Sequence, residues 1–136
     1  MAFAITNKNF ATPDAAWIPS CHFETEITMV SSTIAAATQN TGIVGLKWIR
    51  VRANLKTLGG IAAGETFVIS VQAGTGAAVT APEQIAFRSV TMQTGDLTIT
   101  QDVIGWSQNG FQSYIVTCAS SGSARTGVVD VMVDCA

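Results

Sequence analysis

A chain of 136 residues fits one domain, and two only with difficulty. Charged residues make up 12% against 48% hydrophobic, where about a quarter charged is usual; the difference is filled by small neutral residues, which allow a core and leave neutral surface for packing on something else. The formal net charge of −2 comes with no basic stripe to neutralise phosphates, which argues against nucleic acid as a partner, and no stretch approaches the ~20 apolar residues of a membrane span.

Residues 1–22 read as an extended N-terminal arm. Asn7, Asn9, Pro13 and Pro19 interrupt any periodicity, and proline disfavours helix in the residue before it. Residues 1–10 have polar positions where a signal peptide needs an apolar stretch, so secretion by the usual route is not expected. Phe10 and Trp17 lie in this arm. A merely solvated arm has little use for tryptophan, so Trp17 is expected to dock, either on its own domain or on a neighbouring chain.

From Phe23 the pattern has period two, with Phe23, Thr25, Ile27 and Met29 on one face of a half-buried strand. Residues 31–42 are ambiguous between a short helix, a loop and a weak strand. In residues 45–55, Ile49, Val51, Ala53 and Leu55 fall on one face and Trp48, Arg50, Arg52 and Asn54 on the other. Gly59, Gly60 and Gly64 supply a turn. Residues 66–73 then place Phe67, Ile69, Val71 and Ala73 inward. After the loop at Gly74, Pro82 opens a segment in which Ile85, Phe87 and Ser89 alternate with Ala86, Arg88 and Val90 without a clear inner face.

Residues 93–96 and 107–110 read as hairpin turns, the second because Asn109-Gly110 suits the positive φ angles of tight turns. Residues 113–118 set Tyr114, Val116 and Cys118 against Ile115 and Thr117. Residues 128–135 set Val129, Val131, Val133 and Cys135 against Asp130 and Asp134. About eight short strands and no helix predict an all-β, two-sheet antiparallel jelly-roll sandwich over residues 23–136, with an immunoglobulin-like sandwich as the second choice.

Nothing in the sequence assembles a catalytic, cofactor or metal site. Cys21, Cys118 and Cys135 have no close spacing, which signals neither zinc nor a disulfide framework and suits synthesis in a reducing compartment. His22 adjoins Cys21, but neighbouring strand residues point to opposite faces. Asp130 and Asp134 share a face roughly 13 Å apart, too far for a glycosidase pair, and read as solvated. Gly74-Thr75-Gly76 lacks the lysine and the following helix of a phosphate loop. Basic and acidic residues number five against four in residues 1–68 and two against five in residues 69–136, an asymmetry that suits either oriented self-association or scattered solvated charge.

The candidate interface is Trp48, Arg50 and Arg52 on one strand face, with Trp17 in the arm. Tryptophan and arginine are the residues most enriched at binding hot spots, and the arginines can pair with carboxylates across an interface. The alternatives are that this face packs beneath the arm, or that Trp48 or Trp106 stacks on a sugar.

The polar arm through Trp17, the strand Gly45-Leu-Lys-Trp-Ile-Arg-Val-Arg-Ala-Asn54 and the unit Gly64-Glu-Thr-Phe-Val-Ile-Ser-Val-Gln72 go together with Gly110-Phe-Gln-Ser-Tyr-Ile-Val-Thr-Cys118 and a valine-rich ending. In these the chain resembles the jelly-roll cement, or decoration, proteins of tailed bacteriophage capsids. The resemblance implies a non-enzymatic virion protein without a cofactor. It would be made in the host cytoplasm, sit on the outer face of the capsid, bind the phage major capsid protein and pair with itself as a homodimer or homotrimer, without membrane or nucleic-acid contact. Competing classes are a carbohydrate-binding or receptor-binding sandwich module and a tail or neck subunit.

Overall fold

Apolar residues at every second position can all be buried only if the chain is extended and one face is covered, and that condition produces eight strands. The computed structural model describes residues 17–29, 35–57, 64–93, 98–120 and 127–136. The strands are β1 (Phe23–Met29), β2 (Ala35–Asn40), β3 (Leu46–Thr57), β4 (Thr66–Gly74), β5 (Glu83–Thr91), β6 (Thr98–Phe111), β7 (Ser113–Ser120) and β8 (Gly127–Cys135). They form two antiparallel four-stranded sheets in the orders β1-β8-β3-β6 and β2-β7-β4-β5. This is the jelly-roll order, in which successive strands cross from one sheet to the other.

The inward faces follow the sequence alternation. Ile49, Val51, Phe67, Ile69, Val71, Val129, Val131 and Val133 are all exposed by 2% or less, and Leu55, Phe111 and Tyr114 fill the space between them. Register shows how the layers align: Val51 pairs with Val133 on one side and Val103 on the other, and all three are buried. A one-residue slip would turn this whole row to solvent.

One ambiguity is settled and two hairpin expectations are revised. The ambiguous stretch 31–42 contains the strand β2, with residues 31–34 outside the described residues. Asn109-Gly110 makes no hairpin. Gly110 does take φ +80°, but there β6 leaves one sheet and, past Gln112, β7 enters the other. The turn expected at 93–96, of which residues 94–96 lie outside the described residues, likewise precedes a strand of the opposite sheet. Among the described strands, only β4 and β5 are consecutive in sequence and paired in space. The poor alternation of β5 has a cause too. Val71 pairs with Ala86 and Gln72 with Gln84, so Ile85 is an extra residue that reverses the facing of the positions beyond it. Ala86 is buried and Phe87 is turned out, 55% exposed.

The edge strands β5 and β6 meet across the side of the sandwich. Gly105 allows this, because a Cβ there would run into Ile85 O and lie 2.8 Å from Ala86 Cβ. Polar ties complete the seam: Ser107 Oγ donates to Glu83 Oε1 at 2.8 Å, Asn109 Nδ2 donates to Glu83 Oε2 at 3.2 Å, and Arg88 Nη1 donates to Asp102 O at 3.3 Å.

Of the arm, residues 1–16 lie outside the described residues, among them Phe10. Residues 17–22 lie against the sandwich. Ile18 N–H donates to Cys135 O at 2.9 Å, a 3-10 turn spans Pro19–Cys21, and Cys21 enters the core.

Candidate docking face

The outward positions of β3 are Trp48, Arg50, Arg52, Asn54 and Lys56, because their neighbours Ile49, Val51, Ala53 and Leu55 occupy the core. β3 is an inner strand, so its outward residues from Arg50 to Lys56 each have a neighbour on both β8 and β6. Arg50 lies between Asp134 and Ile104, and Arg52 between Met132 and Asp102. Trp48 is registered with Trp106.

The fold brings all four predicted interface residues onto or beside this one face. Trp48, Arg50 and Arg52 stand along β3, and Trp17 stacks over Arg50 with the guanidinium carbon 4.6 Å from its ring centre, a cation–π arrangement. Trp17 therefore docks on its own domain.

The arginines were expected to seek carboxylates on a partner; the fold supplies them from its own strands. Arg52 Nε and Nη2 donate to the two oxygens of Asp102 at 2.7 and 2.9 Å, the bidentate geometry that a guanidinium favours. This bond to Arg52 is the main reason that the Asp102 carboxyl lies below the usual carboxylate range. Arg50 Nε donates to Asp134 Oδ2 at 2.9 Å. Lys56 pairs with Asp130.

Asp134 was read as solvated, but its side chain is only 12% exposed. The other carboxylate oxygen meets His22 Nδ1 at 2.7 Å, while His22 Nε2 lies 3.2 Å from Glu24 Oε1. Both ring nitrogens thus face carboxylates. The hydrogen bond to Asp134, and next the one to Glu24, raise the His22 pKa. Burial pushes the Asp134 carboxyl upward, but the bonds from His22 and Arg50 outweigh it and the net direction is down. Trp17, Arg50, Asp134, His22 and Glu24 form one continuous clasp that holds residues 17–22 against the sheet.

Around these neutralised charges lie apolar groups in water. Trp106 is 46%, Ile104 44% and Met132 37% exposed, and Lys47 Nζ stands 6.0 Å from the Trp106 ring centre. A cavity of about 290 Å3 opens on the face, lined by Arg50, Arg52, Asp102, Ile104, Met132 and Asp134. Such a surface can accept an apolar side chain between fixed dipoles. The three thiols lie buried in the core, which pushes Cys118 up to about 12 and keeps its thiolate scarce. Among the described residues, no group of three or more His, Cys, Asp or Glu side chains is placed to hold a metal ion.

Sequence reasoning missed Ile104, Met132, Asp102 and the His22–Asp134 pair, and considered Trp106 only for sugar stacking. Period two in β6 and β8 does set these residues outward. Their proximity to β3 depends on strand order, which no local signal carries.

No family model matches the chain, and no curated protein matches it in sequence. Among solved structures it is similar to the N-terminal CBM22-1–GH10 modules of Clostridium thermocellum endo-1,4-β-D-xylanase 10B complexed with xylohexaose. There the identity is 12%, the match covers 85% of this chain and 26% of that one, and the TM-score is 0.48. The chain thus spans about a quarter of the xylanase chain's length. It is also similar to the Yersinia pseudotuberculosis-derived mitogen, at 12% identity over 82% of this chain and 83% of that chain with a TM-score of 0.45. A family 16 carbohydrate-binding module matches at 8% identity, over 76% of this chain and 70% of that chain, with a TM-score of 0.41.

Proposed function

We infer that this chain is a non-enzymatic structural subunit that docks through the outer face of the β1-β8-β3-β6 sheet onto the outside of a tailed-phage capsid and stabilises contacts between coat-protein capsomers. The observation that carries the docking face is the pairing of its charges within the chain beside exposed Trp106, Ile104 and Met132. Charges already paired need no new partner when water leaves, and the apolar groups gain from burial. The capsid as partner is supported by the sequence resemblance.

The test is binding to coat-protein shells stripped of this subunit, with its copy number measured relative to coat protein. Ile104→Glu and Trp106→Ala, both at exposed positions, should each weaken binding by about 2 kcal/mol, roughly thirtyfold, and leave the melting midpoint within a few degrees. Phe87→Glu, on the other sheet, should leave binding unchanged. Failure of the wild type to bind shells, or wild-type binding by both variants, overturns the reading.

One observation favours a second reading. Trp48 and Trp106 are cross-strand neighbours beside polar side chains, as a sugar-stacking platform requires. Quenching of tryptophan fluorescence on glycan titration, lost in Trp106→Ala, would support that reading instead.

A further inference from the structure

Four strands end a sheet: β1 and β6 in one, β2 and β5 in the other. An edge strand offers unpaired N–H and C=O groups to any extended chain, and folded proteins usually guard against that with charge, proline, bulges or cover. Three of these edges are guarded. β1 carries Glu24 and Glu26. β6 is covered by β5 at Gly105, and its Asp102 carbonyl is occupied by Arg88. β5 follows Pro82, contains Arg88 and is bulged at Ile85.

β2 itself carries no charge, proline or bulge. Its sequence is Ala-Ala-Ala-Thr-Gln-Asn, and its register with β7 is unbroken from Ala35↔Cys118 to Asn40↔Ser113. The direction of its free backbone groups follows from one bond. Thr41 N–H, next in that register, donates to Gln112 O at 3.0 Å. Alternation along an antiparallel ladder then turns the backbone of Ala37 and Gln39 toward β7, and that of Ala36, Thr38 and Asn40 away from it. Among the described residues, no strand pairs with it on that side; β1 approaches it only from the opposite sheet.

We propose that this edge pairs with the β2 edge of a second copy of the chain, antiparallel about a two-fold axis at Thr38. Thr38 then faces Thr38 of the partner subunit, and Ala36 faces Asn40 of the partner subunit. Three such pairs exchange about six N–H···O bonds and join two four-stranded sheets into one. Charge selects this occupant. A strand without charge opposes its own copy with no like-charge pair, and facing threonines are a favourable cross-strand pair. The outer face that continues from β2 is also uncharged, through Ile115, Thr117 and Ala119 on β7 and Val68, Ser70 and Gln72 on β4, so nothing repels a sheet laid edge to edge with it. The pairing uses the sheet opposite to the docking face and does not depend on the proposed function.

The test is a disulfide scan under mild oxidation, with sedimentation equilibrium alongside. The native cysteines are all buried. A hydrogen-bonded antiparallel pair holds its Cα atoms about 5.5 Å apart, within disulfide range. Thr38→Cys should therefore cross-link to a covalent dimer. Ala36→Cys alone should not, since the two copies of that position stand roughly 13 Å apart along the strands, but it should cross-link when mixed with Asn40→Cys. Thr38→Pro removes an N–H that only the second copy uses, at a position where edge strands tolerate proline, and should weaken dimerisation at least tenfold. If that variant fails to fold, the cross-linking pattern alone decides. A wild type that stays monomeric at high concentration, as it would if a different protein supplied the strand, overturns the proposal. So does Thr38→Cys cross-linking no better than Ala36→Cys.

Discussion

Replacing Gly105 by alanine probes the seam between β5 and β6 and the docking face together. The new methyl would meet the backbone of β5: Ile85 O is nearest, Ala86 Cβ follows at 2.8 Å and the Ile85 carbonyl carbon at 2.9 Å. Ordinary van der Waals contact begins near 3.4 Å, so relieving Ala86 alone requires β6 to move about 0.6 Å, and none of these atoms is the free end of a flexible side chain. Overpacking of this kind costs about 1–3 kcal/mol. Backbone obstruction places Gly105→Ala in the upper part of that range, at about 2–3 kcal/mol. With an unfolding entropy of about 2.1 cal/mol/K per residue, 1 kcal/mol moves the midpoint of a chain this long by about 3.5 °C, so the variant should melt about 7–10 °C lower. Ile104 and Trp106 flank Gly105, so under the proposed function shell binding should fall as well. Gly76→Ala is the control: nothing lies within 4 Å of its Cβ position, and its midpoint should stay within about 2 °C. Scanning calorimetry decides. A Gly105→Ala midpoint within 2 °C of wild type would show that the two edges part freely, which would refute the seam.

The clasp should be pH-sensitive. His22 has a raised pKa because of its bonds to Asp134 and then Glu24, so its stabilisation is complete below the ordinary histidine range and fades as pH rises through the raised value. Between pH 6 and 8.5 the wild-type midpoint should fall more than that of His22→Gln; parallel curves would contradict this. Asp134 has a lowered pKa, so its contribution is present above the ordinary carboxylate range and is lost as pH falls through the lower folded value; Asp134→Ala should flatten that acid limb. Tyr114 is buried with a hydroxyl that has no hydrogen-bond partner among the described residues, so Tyr114→Phe should leave stability unchanged or raise it by about 1 kcal/mol in urea titration. Phe67, fully buried in β4, should cost about 3–5 kcal/mol as Phe67→Ala.

What the sequence made legible was set by how locally each feature is encoded. The inner faces of β3, β4 and β8 could be read because consecutive apolar residues such as Ile49, Val51, Ala53 and Leu55 repeat at the strand period. β5 could not, because one extra residue at Ile85 reverses its alternation, and the bulge exists only relative to β4. Asn109-Gly110 did mark a positive φ angle, but the same dihedral serves a crossing between sheets as well as a hairpin. For the docking face, Trp48, Arg50 and Arg52 were visible because they share one strand. The His22–Asp134 bond was not, since it joins residues 112 positions apart through the adjacency of β1 and β8.

That adjacency bears on how the chain must fold. β8 lies between β1 and β3, so until residues 127–135 emerge from the ribosome the first strand has no neighbour in its sheet, and Ile18 has no carbonyl at Cys135 to meet. The hydrophobic face of β1 must wait for a strand made about a hundred residues later, and such non-local closure is slow. Synthesis paused before residue 127 should therefore leave a protease-sensitive chain, and clipping β8 should divide the sheet through its middle.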